Sequence, residues 1–176
     1  MSTNARINLM VSGNTKTLKL KPELLPFGIK RNATYEEWRE SGKIVTDVEL
    51  DTLPSHVIRT RGKKYVSIYH HWDGYPSSLG RVLCRYFSTY EAVASLMALG
   101  DCSTICGHGR NARFISPYLV REGEIWRNIQ PQLHDEVMDD MQYNYVFEDG
   151  RWYVIYRIYN GRKIVKKDLK KLLRLK

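Results

Sequence analysis

The chain has 176 residues and is 43% apolar, which suffices for the core of a single domain over residues 1–176. No apolar run approaches the length of a membrane span, and the first residues contain no apolar signal region, so we expect a cytoplasmic protein with no membrane partner. Three cysteines do not suggest a disulfide framework.

The net charge of +9 is concentrated at one end of the chain. Residues 161–176 contain eight basic groups and one acidic group, so this segment contributes +7 and the remainder +2. The asymmetry indicates an anionic partner for this C-terminal strand and helix.

The first twenty residues have the pattern of a β-hairpin. Ile7, Leu9 and Val11 alternate with polar residues, residues 12–14 favour a turn, and residues 15–20 form a second short strand.

The next segments predict one helix, one strand and a connection. Residues 34–37 have the spacing of a capping box, which predicts a short helix over residues 34–42. Residues 43–50 have the pattern of a strand, and residues 57–64 form a basic link.

The central stretch, residues 65–80, contains the densest group of chemically capable side chains. Residues 65–72 are aromatic and β-branched, which predicts a strand. Asp73 and Gly74 favour a turn, Pro76 ends the strand, and Ser77 is the predicted helix cap. The helix has its apolar residues on one face: Leu79, Val82, Leu83, Tyr86 and Phe87.

Two interpretations of this corner stay open. Backbone N–H groups beside His71, Asp73 and Tyr75 suit anion binding or acid–base chemistry, so these three residues are the candidate catalytic set. The alternative is a structural turn in which Asp73 accepts backbone N–H groups and Trp72 lies in the core. Strand alternation predicts that His70 is buried and that His71 faces outward.

The following residues predict two helices and two short strands. Residues 88–91 form a second capping box, which begins a helix ending before Gly100, and residues 101–109 are polar and glycine-rich like a loop. Residues 114–125 suggest two strands turned at residues 122–123, and Pro131 opens a predicted helix.

The last third predicts a β-meander. Strands over residues 143–147, 152–159 and 162–165 are separated by the turn dipeptides Asp149-Gly150 and Asn160-Gly161. Asp168 then caps a short helix with Leu169, Leu172 and Leu173 on one face.

Several of these strings resemble one family. The string Ser-Ile-Tyr-His-His-Trp-Asp-Gly-Tyr-Pro at residues 67–76, Leu-Gly-Asp at 99–101, and the Tyr-Asn-Tyr and Asp-Gly-Arg-Trp-Tyr strings at 143–145 and 149–153 resemble small bacteriophage- and prophage-encoded proteins with a Tyr-x-His-Trp-Asp-Gly-Tyr-Pro core. The family has serine-rich residues after Leu-Gly-Asp, where this chain has Cys102 and Cys106. The resemblance implies a phage source and a host-cell cytoplasm, and it implies no reaction.

Metal and nucleophile chemistry is not indicated. Cys102, Cys106 and His108 could supply zinc ligands, but their spacing is not that of a common zinc knuckle, so we predict no metal and no cofactor. No nucleophile signature surrounds either cysteine.

The C-terminal segment is the predicted binding site. We expect its leucines to pack the helix against the body of the protein. Its basic side chains then have three alternatives: they face solvent alone, bind nucleic-acid phosphates, or bind an acidic host protein. The candidate contact residues are Lys166, Lys167, Lys170, Lys171 and Arg174. Tyrosines of the meander could stack on bases, form a protein interface or belong to the core: Tyr145, Tyr153, Tyr156 and Tyr159.

The sequence as a whole predicts an α+β fold, with a mainly antiparallel sheet, a C-terminal β-meander and helices packed on one face. The predicted function is binding of a macromolecule without catalysis, either nucleic acid or a host protein that handles nucleic acid or serves in defence. The alternative is an enzyme or small-ligand binder that acts on a nucleotide or phosphate at residues 70–76.

Overall fold

The computed structural model describes residues 3–13, 16–20, 29–30, 44–46, 56–98, 100–108, 112–117, 119–122, 125–128 and 131–176. The helical elements are a π-helical turn (Pro76–Gly80), α1 (Arg81–Tyr86), α2 (Tyr90–Met97) and α3 (Leu169–Leu172). The strands in chain order are β1 (Ala5–Val11), β2 (Lys16–Leu20), β3 (Ile29–Lys30), β4 (Ile44–Thr46), β5 (His56–Thr60), β6 (Lys64–His70), β7 (Cys102–His108), β8 (Ala112–Pro117), β9 (Leu119–Glu122), β10 (Ile125–Asn128), β11 (Gln132–His134), β12 (Tyr143–Glu148), β13 (Arg151–Ile158) and β14 (Lys163–Asp168).

Most of these strands belong to one sheet. Within the described residues the sheet order is β14-β13-β12-β1-β6-β7-β8-β4-β3, with β11 also paired to β6, while β2–β5 and β9–β10 form two small antiparallel pairs. Seven of the eleven described strand pairs are antiparallel. The four parallel pairs are β1–β12, β3–β4, β4–β8 and β6–β7. The predicted α+β class with a mainly antiparallel sheet is confirmed.

The predicted N-terminal hairpin is wrong. β1 lies in the middle of the large sheet, between β12 and β6, and β2 pairs instead with β5. The basic link predicted over residues 57–64 therefore contains most of strand β5. Both partners of β1 are distant in sequence, so the local turn signal could not identify them.

The core lies between one face of the sheet and the helices. Alternate residues of β1 and β12 face α1 and α2, as predicted for helices on one face. The indole Nε1 of Trp152 donates a 2.7 Å hydrogen bond to the Phe87 carbonyl at the end of α1, which ties sheet to helix. The largest fully buried side chains are Tyr145, Phe87, Ile7, Leu9, Ile68, Leu79, Leu83, Leu96 and Met97.

The predicted caps of the first two described helices are displaced. Helical structure begins at Pro76 with Tyr75 in the cap position and no side-chain cap, so Ser77 is not the cap. Helix α2 is capped by Thr89, whose hydroxyl accepts the Ala92 N–H at 3.2 Å, one residue later than the box at residues 88–91 predicted. Gly100 ends this region as predicted, with a φ of +71°.

Two segments differ in secondary structure from their prediction. The loop predicted over residues 101–109 is largely strand β7, and the helix predicted after Pro131 is strand β11 followed by irregular chain. β11 pairs with β6, and β7 pairs with β6 and β8. The local composition of the two segments does not reveal these partners. The turn at residues 122–123 is consistent with β9 ending at Glu122. The helix over residues 34–42 lies outside the described residues, as does most of the strand over 43–50, of which β4 is described.

The C-terminal meander is confirmed. Strands β12, β13 and β14 pair in sequence, and the first turn places Asp149 and Gly150 at φ values of +50° and +74°. The Asp168 carboxylate caps α3 by accepting the Lys171 N–H at 3.0 Å. β14 is therefore the last strand at one end of the described sheet, and α3 follows it directly.

Candidate functional site

The corner after β6 is fixed by two backbone hydrogen bonds of Gly74. Its N–H donates to the Thr3 carbonyl at 2.7 Å, and its carbonyl accepts the Tyr145 hydroxyl at 2.7 Å. A Cβ at this position would lie 2.7 Å from the Thr3 oxygen and 2.8 Å from the Ala5 Cβ. The close approach requires glycine, and it holds the motif against the N-terminal strand and β12.

Asp73 does not hold this turn in the way predicted. The residue is exposed and has a φ of +56°, and no backbone N–H of the described residues donates to its carboxylate. Aspartate is among the few non-glycine residues that tolerate this left-handed conformation. Its contribution to the turn is therefore conformational.

His70 is a buried structural residue, as predicted. Its Nε2 accepts the Ile105 N–H at 2.8 Å, so the neutral ring carries its proton on Nδ1, which has no partner among the described residues. Burial, and to a lesser extent the neighbouring His71, lowers the pKa of His70 to about 3. The ring thus ties β6 to β7 in an uncharged state.

His71 is half-buried and Trp72 is exposed at the corner. The Nδ1 of His71 shares a 2.6 Å hydrogen bond with the Tyr69 hydroxyl, and its ring meets Trp72 edge-on at 4.6 Å. Trp72 is 48% exposed, so the prediction that it lies in the core is wrong. The strand ends at His70, and the turn then rotates Trp72 outward instead of continuing the alternation.

Of the three candidate catalytic residues, Tyr75 lines two clefts, and His71 and Asp73 are in the lining of neither. A general acid–base set needs its members within hydrogen-bonding reach of one substrate atom. Within these two clefts, Tyr75 is therefore the candidate ligand contact, and His71 and Asp73 do not join it.

The larger cleft beside Tyr75 has a volume of about 680 Å³ and lies against β12 and β13. Its two carboxylates are already engaged, since Asp140 accepts two hydrogen bonds from Arg6, at 3.1 and 2.6 Å, and Asp139 pairs with Arg157. The remaining lining is largely polar and aromatic: Thr3, Asn4, Met141, Gln142, Tyr143 and Tyr156.

The smaller cleft, of about 370 Å³, lies on the other side of Tyr75 and has a basic wall. Arg81 and Arg85 are exposed on α1, and the Arg85 guanidinium lies 5.2 Å from the centre of the Tyr86 ring. No acidic side chain of the described residues pairs with either arginine. This pair was not predicted, although two arginines four residues apart on the polar face of the helix are visible in the sequence.

The predicted C-terminal binding residues are all exposed: Lys166 and Lys167 on β14, Lys170 and Lys171 on α3, and Arg174 two residues after it. Lys166 pairs with Glu148 and lies 4.6 Å from the centre of the Tyr153 ring. The other four have no acidic side-chain partner among the described residues, and we call them the tail cluster: Lys167, Lys170, Lys171 and Arg174. In the meander, Tyr145 is buried, Tyr153 and Tyr156 are half-buried, and Tyr159 is exposed.

The tail cluster is anchored to α1 by leucines. Leu169 is fully buried, and a Cβ on Gly80 would lie 3.1 Å from its Cδ1 and 3.5 Å from the Cδ1 of Leu173. Cys84 lines a cleft of about 440 Å³ together with Lys170 and Lys171. Burial raises the pKa of the Cys84 thiol to about 11, so it is a packing residue.

Within the ranges given above, no three His, Cys, Asp or Glu side chains lie together as metal ligands. Of the predicted zinc candidates, the side chains of Cys106 and His108 are outside the described part of the chain. Cys102 is buried, and its thiol donates to the Gly100 carbonyl at 3.3 Å.

Comparison of the chain with protein-family models, curated proteins and solved structures finds no match. In the part of the chain that the structure describes, no helix combines the length and the apolar character needed to cross a bilayer.

Proposed function

We propose that this chain is a small phage or prophage accessory protein that binds nucleic acid through its tail cluster without catalysing a reaction. The phage origin rests on the resemblance of the central motif. The observation that carries the binding proposal is the exposure of four basic side chains that no acidic side chain of the described residues neutralises.

The physical argument is electrostatic. Neutralising phosphates with lysine and arginine releases counterions from the nucleic acid, which supplies most of the affinity of sequence-independent binding. The strand and helix that carry the tail cluster are held by Leu169, so the charges are presented on an ordered surface. No helix that reads base edges is apparent in the described residues, so the contacts are with phosphates.

The test is fluorescence anisotropy with a labelled oligonucleotide at about 50 and 200 mM salt. Replacing the tail cluster with glutamine removes four charges and keeps the leucine anchor. We expect a large loss of affinity, an unchanged melting temperature, and a salt slope shallower by about three units.

The control replaces three exposed basic residues elsewhere with glutamine: Arg59, Arg61 and Lys63. This control should retain most of the affinity. If the control lost nucleic-acid affinity and the tail variant did not, the binding site would lie on β5 and the residues after it. A parent protein that binds no nucleic acid at low salt would overturn the proposal and favour an acidic host protein as partner.

A second candidate function is small-ligand binding at Tyr75, and the cleft of about 680 Å³ favours it. Its aromatic side chains suit a nucleobase, while its carboxylates are already paired. A nucleotide that binds there would raise the melting temperature of the parent protein and not that of Tyr75→Ala. Equal shifts in both proteins, or none, would exclude this candidate.

A further inference from the structure

Arg81 and Arg85 are exposed on α1 and line the cleft of about 370 Å³ beside Tyr75. They are four residues apart and therefore lie one above the other on the exposed face of the helix, opposite the buried Leu79 and Leu83. Like charges at this spacing destabilise a helix, and no acidic side chain of the described residues offsets them. A bound phosphate would satisfy both guanidinium groups.

Tyr75 lines the same cleft. Its side chain is 39% exposed, and no described residue hydrogen-bonds its hydroxyl. Ser77 and Ser78 line the cleft as well. One cleft of the chain thus combines an exposed aromatic side chain with two arginines and two serines.

This cleft and the tail cluster lie on adjoining helices. The contact of Gly80 with Leu169 sets α1 beside α3. Cys84 lies between the two arginines in sequence, and it lines a cleft together with Lys170 and Lys171. Arg151 lines that shared cleft as well. Asp168, the N-cap of α3, is the carboxylate in the lining of that cleft. The basic groups of the two helices thus lie on adjoining elements, and we call the tail cluster, Arg81, Arg85 and Tyr75 the basic strip.

We propose that this strip binds single-stranded nucleic acid, with phosphates along the tail cluster, Arg81 and Arg85 and one unpaired base stacked on Tyr75. The inference rests on the proposed function. It adds the class of nucleic acid that binds and the residue, Tyr75, on which a base stacks. A duplex keeps its bases stacked inside, so it can contact the lysines but cannot place a base on Tyr75. Base–aromatic stacking tolerates any sequence, which suits a site without base-edge readers.

The experiment compares a labelled single strand with a duplex of equal length, both titrated by anisotropy. We expect the parent protein to prefer the single strand, and Tyr75→Ala to reduce single-strand affinity about tenfold with duplex affinity unchanged. Tyr75→Phe keeps the ring and should bind like the parent. Tyr159→Ala, which removes a more exposed tyrosine in the turn between β13 and β14, should have no effect.

Photo-cross-linking of a single strand that contains 5-iodouracil to the parent protein gives a second measurement that needs no variant. We expect the cross-link on the peptide that contains Tyr75. Nucleic-acid binding that is indifferent to Tyr75→Ala, or equal for both strand types, would overturn this inference and leave the proposed function standing. No binding of either nucleic acid would overturn both.

Discussion

The Tyr145 hydroxyl donates a 2.7 Å hydrogen bond to the carbonyl oxygen of Gly74, across 71 residues of sequence. The bond joins the buried middle of β12 to the corner that follows β6. The central motif and the meander therefore meet at one buried point. The hydrogen bond from β12 holds the buried side of the corner against the sheet, while Trp72 and Tyr75 are exposed.

Removing either side of this contact should destabilise the fold. Tyr145→Phe leaves the buried Gly74 carbonyl without its donor and should lower the free energy of unfolding by about 1–2 kcal/mol. Gly74→Ala forces a methyl group against the Thr3 backbone and should cost about 2 kcal/mol or more. Urea unfolding measures both. Tyr153→Phe, at a half-buried tyrosine whose hydroxyl bonds no described residue, should be neutral.

Asp73 should matter through its backbone conformation. At a φ of +56°, Asp73→Ala should lower the free energy of unfolding by about 1 kcal/mol, and Asp73→Gly should equal or exceed the parent. Thermal and urea unfolding distinguish the two variants. If the glycine variant lost as much stability as the alanine variant, an interaction of the carboxylate would be responsible instead.

The cap of α2 should be Thr89 and not Ser88. Because the Thr89 hydroxyl accepts the Ala92 N–H, Thr89→Ala should cost about 1 kcal/mol of stability. Ser88→Ala serves as the matched control, one residue away and also exposed, and should change little. The reverse ranking in urea unfolding would restore the capping box that the sequence pattern predicted.

His70 should make the protein less stable in mild acid. The pKa of its imidazole is about 3 in the folded protein against 6.5 in the unfolded chain, so the unfolded chain binds a proton that the folded protein excludes. The contribution is fully present above pH 6.5 and is lost as the pH falls towards 3, at up to about 1.4 kcal/mol per pH unit.

Stability should be measured by urea unfolding at pH 7 and pH 5 for the parent and for His70→Gln. The glutamine carbonyl oxygen can still accept the Ile105 N–H but does not titrate. We expect His70→Gln to be less stable than the parent at pH 7 and to lose less on acidification. Parallel pH profiles would show that His70 is not the titrating group.

Local features were predictable from sequence where short-range chemistry decides them. The turn at Asp149-Gly150 needs positive φ values that these two residues adopt readily, and Asp168 caps α3 within three residues of its own position. The apolar face of α1 follows from helical spacing alone. The exposure of the C-terminal lysines follows from their place beside a leucine stripe.

The tertiary structure alone decided how these pieces assemble. β1 pairs with β6 and β12, and the polar, glycine-rich residues after Asp101 become strand β7, because strand partners are chosen by the whole sheet. The outward turn of Trp72 follows from where β6 ends, which its own residues do not determine. In the same way, charge patterning indicated the tail cluster, and only the packing of Leu169 on Gly80 shows that the helix with Arg81 and Arg85 adjoins it.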